Sequence, residues 1–199
     1  MKSMRISLAI AAALLAAPAF AQDDAEQQAP QQQQQPQQAN QQQKPSEQKE
    51  IGDWIVRCYP IKSPMPCMME QMRFIKKTGQ RVLGVTFAYM AQRDIHVAVI
   101  SVPLGVSLAN GLVINTDTWK SPAIKFLRCD QGGCYIETAL PNDVVGSIGK
   151  ATKGEVDAVF TNGKRYNFVF SLKGFNEAHN TMVELSKAHA SGGSAPPKH

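Results

Sequence analysis

The chain has 199 residues, of which 43% are hydrophobic and 19% charged, and a formal net charge of +5. This balance excludes a polytopic membrane protein and a wholly disordered chain, and it is enough for one domain of ordinary size. The basic residues form no run with interleaved aromatics, which argues against nucleic acid as a partner.

Residues 1–21 read as a Sec-type signal peptide. Lys2 and Arg5 supply the positive start, and an apolar stretch with Leu8, Ile10, Leu14 and Leu15 follows. Ala19-Phe20-Ala21 is a small-x-small cleavage site, which places the cut between Ala21 and Gln22. The apolar run is short for a membrane span, so no transmembrane segment is expected after cleavage. The expected location is the periplasm or the outer membrane. Residues 22–50 include 14 Gln, with Pro30, Pro36 and Pro45 interspersed and no Leu, Val, Phe, Trp or Tyr. Such a segment buries too little apolar surface to offset its ordering entropy, and is expected to be a disordered tether. A globular β domain is expected over residues 51–186, with a flexible tail over 187–199.

Within the domain the dominant period is two. Trp54, Val56 and Cys58 alternate with Ile55 and Arg57. The same pattern recurs at Val85–Tyr89, Ile95–Ile100, Ile124–Leu127, Val156–Phe160 and Tyr166–Leu172. These are strand patterns, with turn signals at Thr78-Gly79, Asn110-Gly111 and Asn162-Gly163. They predict a mainly β fold: an antiparallel sandwich or a partly closed barrel. Val144, Val145 and Ile148 after Pro141 suggest one short helix. Phe175, Ala178, Met182 and Leu185 recur at helical spacing and predict a short C-terminal helix over an open end of the sheets.

All four cysteines lie in this domain: Cys58, Cys67, Cys129 and Cys134. An even count behind an export signal reads as disulfides. Of three pairings the two local ones are favoured, because Pro60, Pro64 and Pro66 bend one loop and Gly132-Gly133 the other. The spacings do not match a zinc knuckle, and no C-x-x-C redox motif is present.

These residues also carry a likeness. Gly52-Asp53-Trp54 precedes Cys58 and Cys67. Val102-Pro103-Leu104-Gly105 is followed by Leu108 and Gly111-Leu112. Phe126 precedes Cys129 and Gly133-Cys134, and Ser171-Leu172 leads to Gly174-Phe175 and Ala178. In this order the domain resembles the invasion-associated locus B family of exported alphaproteobacterial proteins. The resemblance implies a β-rich, non-enzymatic protein, with a role in host-cell invasion attached to the family name. It implies the cysteine pattern and supplies no catalytic residues. The Gln-rich segment lies outside it.

No chemistry-bearing motif stands out. There is no G-x-S-x-G, no H-E-x-x-H and no paired carboxylates, so no catalytic, cofactor-binding or metal-binding residue is assigned. His96 reads as a structural residue of a strand, and His179 as a residue of the last helix without an acidic partner. Met65, Met68, Met69 and Met72 crowd Cys67. Thioethers so placed could pack adaptably or hold Cu(I). The expectation is an exported, non-catalytic interaction module whose partner is a protein or envelope component, or a host-cell surface ligand. An uncovered strand edge would be one means of binding. An envelope enzyme with an unfamiliar site and a methionine-based copper protein are the alternatives.

Overall fold

The structure is a computed structural model, and it describes residues 44–191. The expected leader, the Ala21–Gln22 cleavage point, most of the Gln-rich segment and residues 192–199 lie outside the described residues.

Ten strands and two helices run in the order β1 Glu47–Ile51, β2 Trp54–Cys58, β3 Cys67–Phe74, β4 Arg81–Met90, β5 Ile95–Val102, β6 Leu112–Thr116, β7 Arg128–Asp130, β8 Gly133–Leu140, α1 Asn142–Lys150, β9 Gly154–Val159, β10 Arg165–Phe170 and α2 Phe175–Ala190. Seven strands form one sheet in the order β1-β2-β3-β4-β5-β8-β7, and three form a second in the order β10-β9-β6. Every pairing is antiparallel. β1 and β7 remain edges of the large sheet, so the sandwich is realised and the partly closed barrel is not.

Strand alternation explains the core. Trp54, Val56 and Cys58 of β2, Cys67 and Met69 of β3, and Val85, Phe87 and Tyr89 of β4 all point inward. Ala98, Ile100 and Val102 continue that face on β5. Leu112, Ile114, Val156, Ala158 and Phe170 meet it from the small sheet, and Phe175, Ala178 and Met182 meet it from α2. Trp54 sits at the centre, wholly buried, with ring centroids of Phe175, Phe87 and Phe170 at 5.6, 5.8 and 6.4 Å. Tilted and edge-on aromatic contacts of this kind add stabilisation beyond area burial.

Three elements differ from expectation. β1 begins at Glu47, so ordered structure starts inside the segment read as tether; its charged residues pair in register with β2. α2 is sixteen residues long and reaches Ala190, and it lies against β2, β3 and β4 rather than capping an open end. Residues 124–127 form no strand. Ile124 makes a single bridge to Leu112, exchanging backbone bonds of 2.8 and 2.9 Å.

The ordered motifs of the sequence meet in pairs. Gly52 (φ +59°) and Gly174 (φ +80°) lie back to back, where a Cβ on Gly52 would sit 2.4 Å from the Lys173 carbonyl oxygen. One residue beyond Gly174, Phe175 packs on Trp54. Only glycine combines that backbone angle with that approach.

Candidate functional site

Three places concentrate polar or exposed chemistry. The first is a cleft of about 350 Å³ between the β4–β5 turn, α1 and α2. Tyr89 ends the inward row of β4, and its hydroxyl donates to Asp94 Oδ1 at 2.7 Å. Asp94 holds the turn in the left-handed region, at φ 52°. Asn142, the first residue of α1, donates its amide to Asp94 Oδ2 at 3.1 Å. Its carbonyl oxygen then faces His96 Nδ1 at 3.0 Å, which makes that nitrogen the donor. His96 Nε2 therefore accepts, and His179 Nε2 donates to it across 2.8 Å. The relay Tyr89–Asp94–Asn142–His96–His179 ties β4, β5, α1 and α2 together.

Its electrostatics follow from this geometry. Burial pushes both imidazole pKa values below the ordinary value, and for His179 a charge on His96 would add to the effect. The Tyr89 hydrogen bond, followed by that from Asn142, holds Asp94 below the usual carboxylate range. The same bond raises the Tyr89 phenol. Both Nε2 atoms are consumed by each other, so neither is presented to the cleft as a free base. Among the described residues no Ser, Thr or Cys side chain lines the cleft to act as a nucleophile. Sequence reading left His96 and His179 unrelated, and the fold joins them across 83 residues. A signal was present: His179 shares the apolar stripe of Phe175, Ala178 and Met182, and His96 is in phase with Ala98 and Ile100.

The second place is the disulfides. Cys58–Cys67 joins directly opposed residues of β2 and β3, and Cys129–Cys134 does the same for β7 and β8. His189 of α2 brings a ring nitrogen within 4.8 Å of both sulfurs of the first pair. Its Nε2 is buried without a hydrogen-bond partner among the described residues. With both sulfurs in a disulfide there is no thiolate to complete a metal site. The methionines of β3 divide between its two faces. Alternation along β3 turns Met69 into the core and Met68 and Met72 to the opposite face.

The third place is a hollow of about 480 Å³ lined by Phe74, Gln80, Arg81, Pro103, Leu104, Gln131, Gly132 and Gly133. Phe74 and Leu104 are 56% and 55% exposed. Its far wall is the Cys129–Cys134 turn. Asp130 Oδ1 accepts from Gly132 N at 2.8 Å and from the Tyr135 hydroxyl at 3.1 Å. Arg81 reaches across to donate to the Gly132 carbonyl at 2.7 Å. The disulfide and Arg81 thus hold a rigid polar wall opposite two exposed apolar side chains.

No helix among the described residues is long and apolar enough to cross a membrane. The Bartonella henselae invasion associated protein B crystal structure superposes with a TM-score of 0.63 at 17% identity, covering 71% of this chain and 99% of that one. Two Brucella abortus invasion protein B homologs, from strain 2308 and from biovar 1 strain 9-941, are each 28% identical over 141 residues, covering 70% of this chain and 81% of their own length. Residues 54–183, from the buried Trp54 to the face of α2, match the family described as invasion associated locus B protein, and the chain belongs to that family.

Proposed function

We propose that this protein is an exported, non-catalytic interaction module of the bacterial envelope, acting in the periplasm or at the outer membrane. The observation that carries this reading is the hollow at Phe74 and Leu104. There, large apolar side chains more than half exposed face a wall held by a disulfide. Exposed apolar groups rimmed by polar ones suit binding to another surface. The cleft at His96 and His179 is consistent with the same reading, because the two Nε2 atoms bond to each other and fasten α2 to the sheet. Export rests on residues 1–21 and on two disulfides that need an oxidising compartment. A role in host-cell association is the second reading, favoured by the names of the Brucella and Bartonella relatives.

Fractionation tests the module directly. The natural chain is expected to sediment with envelope material, and a Phe74→Glu/Leu104→Glu double variant to be released into the soluble periplasmic fraction. Equal distribution of the two folded proteins would overturn the role given to the hollow. For the second reading, external protease on intact cells should cut the chain. Protection until permeabilisation would confine it to the periplasm.

A further inference from the structure

We propose that the free edge of β10 accepts an extended, acidic segment of another protein as an additional strand. The inference rests on the reading of this chain as a binding module, but it concerns a surface other than the hollow.

The sandwich has four sheet edges, and three are blunted. β1 is Glu-Gln-Lys-Glu-Ile, a charged edge strand. β7 has three residues. β6 is flanked by bridges from Leu112 to Ile124 and from Asn115 to Lys120. Charge, shortness and coverage are the usual protections against unwanted strand addition. β10 is neither short nor covered: among the described residues no bridge runs along its outer edge, and its one charge, Arg165, stands at its first position. It reads Arg-Tyr-Asn-Phe-Val-Phe and carries Tyr166 and Val169 among the exposed large apolar residues.

The phase of its hydrogen bonds follows from the turn before it. Gly163 N donates to the Phe160 carbonyl and Phe160 N to the Lys164 carbonyl, both at 2.9 Å, with Gly163 at φ 76°. This is a three-residue hairpin loop closed by a glycine bulge. From Lys164 onward the antiparallel register alternates without a shift. Tyr166, Phe168 and Phe170 therefore bond to β9, and Arg165, Asn167 and Val169 aim their N–H and C=O groups outward. Among the described residues no hydrogen bond reaches those outward groups. They form a template about five residues long.

The rim specifies the occupant. Lys164 and Arg165 stand at the start of the edge. A depression of about 370 Å³ at its end is lined by Arg73, Lys153 and Lys173 together with Val169. On the neighbouring strand Glu155 offsets Lys153, and Asp157 accepts from Asn167 at 2.9 Å while keeping its charge, so the positive excess of the rim rests on Arg73, Lys164, Arg165 and Lys173. Two copies of β10 paired about Asn167 would bring two such basic rims together, which disfavours a second copy. An acidic segment of alternating carboxylate and β-branched residues would place its charges toward the rim and its apolar side chains beside Tyr166 and Phe168.

The test uses the mature, disulfide-bonded chain and nine-residue probe peptides alternating Glu with Val or Thr. Gln-for-Glu and backbone N-methylated versions serve as controls. The expected result is binding that weakens with salt, is at least tenfold tighter for the Glu than the Gln peptide, and is lost on N-methylation. Amide exchange at Arg165, Asn167 and Val169 should slow on binding, while Tyr166 and Phe168 are protected throughout. Val169→Pro removes an outward N–H that β9 does not use, so it should fold and lose the peptide. Equal affinity for the Gln peptide, or protection elsewhere, would overturn the proposal. So would protection of those amides by self-association without peptide. If no peptide binds while Phe74→Glu/Leu104→Glu still releases the chain from the envelope, this inference fails and the module reading stands.

Discussion

His96 and His179 show how single residues set conditions on the whole. Both are held neutral by burial, so the unfolded chain binds more protons than the folded one as acidity rises. Their contribution is fully present above the unfolded pKa near 6.5 and is lost as pH falls from there through the depressed folded values. Stability measured by denaturant midpoint should therefore decline below about pH 6.5, and a His96→Phe/His179→Phe double variant should flatten that limb. An unchanged slope would remove the pair as its source. Gly52 and Gly174 make a second residue-scale case. Alanine at either needs both a left-handed backbone and a Cβ within 3 Å of a carbonyl oxygen. Each substitution should cost about 2–4 kcal/mol in denaturant unfolding, against well under 1 for Gly163→Ala's steric part, where the surroundings are open.

Among the elements, β2, β4, β5, β9 and β10 were legible because apolar residues alternate cleanly along them. β3 was not. Cys-Met-Met-Glu-Gln-Met-Arg-Phe buries Gln71, whose amide donates to the Asp53 carbonyl at 2.9 Å and whose oxygen accepts from Ser171 N at 2.7 Å. A buried polar residue bonded to backbone blurs the alternation that marks a strand. Residues 124–127 failed the other way: the pattern is present, but Pro122 precedes it, Ile124 bridges to Leu112 and Leu127 N donates to the Tyr135 carbonyl, so the segment divides its bonds between two strands and forms no ladder of its own. The β2–β3 disulfide pins the hidden strand. Replacing Cys58 and Cys67 together by Ala should lower stability by about 2–4 kcal/mol, read by chemical denaturation, with α2 exchanging fastest in hydrogen-exchange mapping because its last turns rest on that pair. The candidate site was the least legible part. Its relay joins residues from four elements, and no local period reports which helix face meets which strand.

At the scale of the whole molecule, the fold divides its labour. The core between the sheets and α2 carries Trp54 and the disulfide at Cys58–Cys67. The polar cleft fastens both helices. Of the exposed large apolar groups, Phe74 and Leu104 line the hollow and Tyr166 and Val169 lie along β10. The most direct test places a photo-crosslinking amino acid at Leu104, Val169 or Asn180 of the exported chain in living cells. The account predicts protein adducts at Leu104 and Val169 and none at Asn180, which lines the cleft. Adducts confined to Asn180, or none at Leu104 and Val169 in a folded and exported chain, would contradict a binding module built on these surfaces.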